Sequence, residues 1–399
     1  MALLWAGLAP AQSPALLEAI RVHEPEVRAK AEAEWEACRA TKGCRELSQL
    51  SLLTGYLALS EGDAAAAVKL LSAAKPPRGL EAFHAWYLGE ALSYDGQPAA
   101  AVKRLAQAKK GPAWLARRAD VRLAEVYLAL GQAAKARPLL ESAAAVDPTP
   151  ELLLARALAR EGTRDVTKAL QDFTAIALRF PAHPHARVAE AHRQALGARD
   201  FTAAEHLFRA QAWLAAGKPE RCLEELRQVD GDASLDPARV ALVRAQALLT
   251  RGKEKDDEAL AQLAVAEKGS PAVAAEALNT KARRLMRVGD NGAAREAFRA
   301  LDLRFPDDAL ADEAGYLAAW LAMNSGDDAT AVKDFAAFEE LHPRSKKRDE
   351  ARWFRSYALI RLGRHAEARE LLLTLASDFP KSSLVPQANY WAARAAQLG

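Results

Sequence analysis

Three cysteines and eight histidines are the residues of this chain with the widest chemical repertoire. Cys38 and Cys44 flank Thr41-Lys42-Gly43, which reads as the turn of a helical hairpin. Two cysteines six apart across a tight turn can reach the Cα separation of about 5–6 Å that a disulfide needs. Two readings stay open: a disulfide in an oxidising compartment, or a pair of free thiols in a reducing one. A zinc site would want a second pair of ligands, and none follows at suitable spacing. His183, His185, His192 and His206 form a loose group, but no H-E-x-x-H spacing accompanies them, so no metal site is expected. The sequence also lacks G-x-S-x-G, G-x-x-x-x-G-K-[ST] and G-x-G-x-x-G, the signatures of a nucleophile elbow, a P-loop and a dinucleotide fold. Acidic pairs at Glu224-Glu225, Asp256-Asp257, Asp307-Asp308 and Glu339-Glu340 read as solvated faces or as charges complementing helix starts. No catalytic residue and no cofactor-binding residue is expected on these 399 residues.

The elements that would carry any function repeat instead. Glycines recur at Gly62, Gly96, Gly131, Gly162, Gly217, Gly252, Gly289, Gly326 and Gly363, mostly 34 to 37 residues apart. Self-similarity at this period marks a helical-hairpin solenoid, in which each unit buries its apolar face against its neighbours. The fold class expected is therefore all-α, a tetratricopeptide-like α-solenoid forming a right-handed superhelix of hairpins.

Counted from each glycine, the second helix places a small residue at +5 and a large apolar one at +9. Examples are Ala67/Leu71, Ala101/Leu105, Ala136/Leu140, Ala294/Phe298, Ala331/Phe335 and Ala368/Leu372. The two positions share one helix face, the small residue allowing close crossing and the large one filling the groove beside it. Cys222 pairs with Leu226 in the same slots, so it reads as a small core residue rather than a nucleophile. After Gly162 and Gly252 the pair falls two residues late, at Ala169/Phe173 and Ala259/Leu263, which reads as an insertion. Phe180-Pro181, Phe305-Pro306, His342-Pro343 and Phe379-Pro380 each end a second helix, because proline disfavours helical geometry in the residue before it.

First-helix aromatics also recur in phase. Tyr316/Trp320 and Trp353/Tyr357 precede their glycines by 10 and 6 residues, and Tyr390/Trp391 follow in the last helix. These six residues are expected to pack between hairpins or to present polar edges on a concave partner-binding surface.

A net charge of +3, from 55 basic and 52 acidic residues, leaves no basic stripe, so nucleic acid is not an expected partner. The cluster Arg344, Lys346, Lys347 and Arg348 is followed at once by Asp349 and Glu350 and reads as a solvated loop. No run of about 18 apolar residues is present to make a transmembrane segment. Residues 1–13 resemble a truncated signal peptide: Ala2–Leu8 is apolar and Ala9-Pro10-Ala11 is a cleavage-like pattern, without a basic start. The alternative is an ordinary N-terminal helix. The expected organisation is then an N-terminal hairpin over 14–46, a first superhelical arm over 47–199 and a second over 200–399. The short step from Gly197 to Gly217 suggests the seam between the arms.

The second arm carries a more particular likeness. The run Asp349-Glu350-Ala351-Arg352-Trp353-Phe354-Arg355-Ser356-Tyr357 leads through Phe379-Pro380-Lys381-Ser382-Ser383 to Asn389-Tyr390-Trp391-Ala392-Ala393-Arg394-Ala395. Over about 201–399 it resembles the helical superhelix of the soluble lytic transglycosylases, periplasmic enzymes that cleave peptidoglycan. Envelope proteins of the outer-membrane assembly and cell-division type share the F-P-x-S and Y-W elements. The resemblance implies an exported, periplasmic scaffold with peptidoglycan or a catalytic domain of the same parent protein as partner, or another envelope protein. The family's catalytic Glu-Ser pair followed by G-L-M-Q is missing, since Glu141-Ser142 lies in an alanine-rich helix and no G-L-M-Q occurs. The expected function is a non-catalytic scaffold that positions a lytic transglycosylase-like domain or glycan strands. The alternative is a free-standing adaptor, cytoplasmic in one version, that binds a protein on its concave face. Gly399 has no second helix after it, which suggests a segment of a longer protein.

Overall fold

The computed structural model describes residues 26–399, and the signal-like stretch 1–13 lies outside them. Every regular element among the described residues is a helix. The chain is an all-α, tetratricopeptide-like solenoid. Its hairpins pair a first helix with a second across a short turn, as Glu81–Tyr94 pairs with Pro98–Ala108 and Ala311–Asn324 with Asp328–Leu341. The ladder glycines sit in the turn with left-handed backbone, for example Gly96 at φ 75° and Gly326 at φ 84°. That geometry costs an L side chain about 1–2 kcal/mol, which is why glycine recurs there. In several units the next residue is an aspartate that caps the second helix. Asp63, Asp165, Asp290 and Asp327 each accept a hydrogen bond from the backbone N–H three residues on.

The repeated packing pair forms the seam of each hairpin. Ala67/Leu71, Ala101/Leu105, Ala294/Phe298 and Ala331/Phe335 are all fully buried, as are Cys222 and Leu226. The first helix answers with its own small residue seven before the turn glycine. At Gly55 a Cβ would stand 2.4 Å from Leu71 Cγ, and at Gly89 it would stand 2.8 Å from Leu105 Cγ. Elsewhere alanine fills that position, at Ala124, Ala245, Ala282 and Ala319, each of them buried. Small residues on both helices let the backbones approach until the large +9 side chain touches both.

One rung of the ladder differs from its sequence reading. Gly162 is the last residue of the helix Pro150–Gly162, and the left-handed turn residue is Arg164, at φ 64°. Ala169 and Phe173 are therefore +5 and +9 from the true turn, and no insertion exists there. Gly162 is required for another reason, since its Cβ would stand 2.6 Å from that of Ala133 on the preceding hairpin. After Gly252 the two extra residues are real, and a 3₁₀ turn, Lys253–Lys255, absorbs them.

The described residues divide into two compact units, one up to residue 199 and one from 200 to 399. The first ends with the helix Pro184–Ala195, packed on Val166–Arg179. The second opens with Ala203–Ala215, whose start carries a reciprocal capping box between Thr202 and Glu205. Its partner helix Pro219–Leu226 is only eight residues long and runs on as the 3₁₀ turn Arg227–Val229. The short glycine step lies before this helix: between Gly197 and Gly217 there is one helix, Ala203–Ala215, where a full repeat has two.

Charged groups are buried where hairpins meet. Asp302 and His342 pair at 2.6 Å with both side chains 8 % exposed. Gly315 makes room for the acid, because a Cβ there would lie 2.7 Å from Asp302 Oδ2. Burial pushes the Asp302 carboxyl above the usual aspartate range, against the opposing hydrogen bond from His342. Glu339, read from sequence as part of a solvated pair, is in fact buried beneath Arg352 (2.8 Å) and Arg355 (3.4 Å). In the first unit Asp172 is held by Arg156 and Arg160 at 2.7 and 2.8 Å. A carboxylate taken from water needs such partners to repay its desolvation.

Candidate partner-binding surface

Consecutive first helices touch within each unit and lay polar side chains across their contacts. In the first unit Arg122 bridges back to Glu90 at 2.6 Å and to Ser93 at 3.1 Å, and its guanidinium lies 4.5 Å from the Tyr94 ring centre. Burial raises the pKa of Glu90 despite the neighbouring arginine. In the second unit the bridges are Arg239–Glu276 at 3.0 Å, Arg283–Glu313 at 2.8 Å and Tyr316 Oη to Glu350 at 3.1 Å. Burial first, and then the Glu350 charge, push the Tyr316 phenol well above its usual range. Lys347 lies 4.7 Å over the same ring. The loop cluster around Lys347 is thus partly engaged: Arg348 also stacks 5.4 Å from Phe379 and donates to the Pro343 carbonyl.

The six aromatic residues singled out from the sequence separate into two groups. Tyr316 is buried, in contact with Phe335 and Phe338, and Trp320 packs half-buried between two hairpin cores. Trp353 and Trp391 pack against the core built around Leu372, Leu375 and Ala388. Tyr357 and Tyr390 remain exposed, at 37 % and 65 %. Both meet the edge of Trp391 at right angles, with ring centres 6.1 and 5.9 Å away. Tyr357, Tyr390 and Trp391 therefore form one aromatic cluster on the last two first helices, Arg348–Arg361 and Val385–Leu398. A patch of this kind supplies contact area at low entropic cost, since each ring has only two rotatable bonds.

The other reactive residues are held in structural roles. Cys38 and Cys44 are joined as a disulfide with Cα atoms 5.5 Å apart, across the connection from Val27–Ala40 to Leu47–Ser60. Cys222 is buried, and burial pushes its thiol up to about 11, far from a reactive thiolate. Glu151, His183 and His185 bring three ligand atoms within 4.8 Å of one another. His183 caps the helix Pro184–Ala195 by accepting the His185 backbone N–H at Nδ1, 3.2 Å away. The neutral ring proton is then on Nε2, 3.0 Å from Glu151 Oε1. Ligating a metal through Nε2 would require losing that cap, so the residues fit a helix-to-helix hydrogen bond better than a metal. His192 pairs with Glu161 at 2.8 Å and stacks on Phe173, and His206 pairs with Glu225. His183 and His185 thus meet beside Glu151, their ring centres 4.8 Å apart, while His192 and His206 pair with separate acids, so the four do not form one centre.

The fold and this surface define a helical-repeat protein of the tetratricopeptide type. The family whose model matches is YfiO, an outer membrane lipoprotein, over residues 271–389, under a third of the chain. No curated protein matches the sequence. Among solved structures, a tetratricopeptide repeat protein from Parabacteroides merdae is 19% identical, covers 58% of this chain and 99% of its own, and superposes with a TM-score of 0.31. The P58(IPK) TPR domain is 14% identical over 87% of this chain and 97% of its own, with a TM-score of 0.28. The human IFIT1 dimer with PPP-AAAA is 14% identical over 94% of this chain and 95% of its own, with a TM-score of 0.36. These likenesses are of fold alone.

Proposed function

We propose that this chain is a non-catalytic scaffold of the bacterial cell envelope, binding a protein partner on the exposed edges of its first helices. The observation that carries the reading is the Tyr357–Trp391–Tyr390 cluster, which straddles the C-terminal end of the segment matched by an outer membrane lipoprotein family. An exposed aromatic group of this kind has the make-up of an interface core. The Cys38–Cys44 disulfide agrees with an oxidising compartment, periplasmic or otherwise exported. Mass spectrometry of protein from its native compartment should find one alkylatable thiol, Cys222, before reduction and three after it; three before reduction would favour the cytoplasmic adaptor. A photo-crosslinking residue at position 390 or 357 should capture a defined partner in envelope preparations, and one at the exposed Glu296 on a second helix should not. Equal capture from both faces would sink the assignment of the surface.

A second reading keeps the resemblance to lytic transglycosylases. The ring faces of Tyr390 and Tyr357 can stack on sugar rings, so the same cluster would hold glycan strands or a catalytic domain of a parent protein. Purified chain would then co-sediment with peptidoglycan and lose that property on combined Tyr357→Ala and Tyr390→Ala exchange. Release of anhydro-muropeptides by the chain itself would contradict both readings.

A further inference from the structure

The near-neutral balance of the whole chain conceals a strongly basic edge in the first unit. Residues 41–118 hold eleven basic and six acidic residues, against 55 and 52 in all 399. The excess sits in the three successive loops that lead into the first helices Leu47–Ser60, Glu81–Tyr94 and Ala113–Ala129. These loops carry Lys42 and Arg45, then Lys75 and Arg78, then Lys109 and Lys110. The K-x-x-R spacing of the first loop returns 33 residues on, and Lys109 follows Lys75 by 34, so the repeat itself sets the charges at one point of each unit.

Several observations make this an edge rather than scattered surface charge. Consecutive first helices touch and run in the same direction, so all three loops lie at the same end of the hairpins. With helix axes about 8–10 Å apart, the row spans about 20 Å. The second and third loops face each other across a groove that His84 and Arg104 also line, and a Cβ on Gly111 would stand 2.8 Å from that of Ala82. All six basic residues are exposed, and among the described residues only Lys109 has a carboxylate partner, Asp120 at 2.5 Å. The other acids at this end are few: Glu46 is half-buried, and Glu81 is drawn onto backbone N–H groups at its own helix start. The turns at the opposite end of these hairpins carry acids instead, Glu61 and Asp63, which Arg28 bridges at 3.0 and 2.7 Å, and Asp95. Trp114 adds an aromatic ring to the basic end, in the first turn of Ala113–Ala129. It is 40 % exposed and leans on Phe83 with ring centres 5.8 Å apart.

We propose that this edge lies on an anionic phospholipid surface, its six cations against the headgroup phosphates and Trp114 at the headgroup level. A plane meets loop tips spread over three repeats at once. An acidic peptide would instead follow the groove between the loops, where Arg104 and Lys110 are the only charged cations among the lining residues. Each basic group near such a surface adds about fivefold to partitioning. Tryptophan suits the same depth, because its ring is apolar and its N–H can still reach water. The acids at the far end turn the unit so that the basic edge leads. The edge shares no residue with the Tyr357–Trp391–Tyr390 cluster, and either can be lost without the other.

Co-sedimentation of the full chain with vesicles of phosphatidylglycerol and phosphatidylcholine in equal parts, and with vesicles of phosphatidylcholine alone, tests this. The chain should pellet with the anionic vesicles at about 50 mM salt, leave them at about 500 mM, where exposed charges are screened, and ignore the neutral ones. The Lys42→Gln/Lys75→Gln/Arg78→Gln/Lys110→Gln variant should lose about a hundredfold or more in partitioning. A control with the same change in net charge, Lys218→Gln/Lys253→Gln/Arg344→Gln/Lys346→Gln, alters exposed residues of the second unit and should bind like the unaltered chain. Equal loss in the two variants would reduce the effect to net charge and overturn the proposal, as would equal binding to the two kinds of vesicle. Binding to poly-glutamate or duplex DNA without binding to the anionic vesicles would give the edge a different partner, and would overturn it too.

Discussion

Replacing His342 by phenylalanine should destabilise the second unit, although phenylalanine is what the other units place there, at Phe180, Phe305 and Phe379. The ring slot itself would tolerate the change, since His342 already packs against Phe338 with ring centres 5.3 Å apart. The damage falls on Asp302, which loses its 2.6 Å partner while remaining 8 % exposed. A buried acid left alone costs about 1–3 kcal/mol as an unsatisfied group, rising toward 3–5 kcal/mol if it stays charged. Removing Asp302 alone, as Asp302→Ala, should cost about 1–2 kcal/mol through the unpaired imidazole N–H. One unit further on, Phe379 already stands at the ring position and the acid at the other, Glu339, is held by Arg352 instead. The double variant removes both buried polar groups together. It should recover most of the loss, giving a coupling energy of about 2–3 kcal/mol in a double-mutant cycle. Denaturant unfolding followed by tryptophan emission is the assay, because Trp320 packs on the same core as Phe335 and Phe338. Additive single and double effects would refute the argument that Asp302 and His342 stand or fall together.

Arg164 holds a left-handed backbone that its neighbours in the ladder assign to glycine, so Arg164→Gly should raise stability by up to about 1 kcal/mol, read as an upward shift of the denaturation midpoint. A drop would show that its side chain matters more than its backbone. Gly89→Val should destabilise by about 1–3 kcal/mol, because even a Cβ would stand 2.8 Å from Leu105 Cγ and 3.2 Å from its backbone N. Thermal unfolding unchanged by that substitution would argue against close helix crossing in this hairpin. Asp63 is held below the usual aspartate range by Arg28 and the Ala66 N–H, and Asp327 by the Thr330 hydroxyl and N–H. Such acids contribute stability that is complete above the ordinary value near 3.8 and is lost as pH falls through the lower folded values. The melting temperature should therefore fall below about pH 4, and less steeply in Asp63→Asn/Asp327→Asn, where the cap no longer titrates.

The period of the glycines and the alternation of small and large residues in the second helix were enough to establish a helical-hairpin solenoid from sequence alone. The reason is local: a left-handed turn demands glycine, and close crossing demands a small residue four before a large one. Cys222 was legible as core for the same reason. The aromatic residues were legible as a phase but not as a site, because spacing puts Tyr316 and Tyr357 on comparable faces while packing buries one and exposes the other. Position along the chain could not show that Gly162 is a contact glycine and Arg164 the turn, since that depends on Ala133 in the preceding hairpin. Nor could it show that Glu339 is covered by Arg352, or that His84 and Arg104 meet in one groove. Those contacts join residues from different helices, and their separations are set by how the helices stack. The sequence by itself determined the repeating hairpin and its seam; the tertiary structure alone decided which polar and aromatic groups are spent on packing and which remain available to a partner.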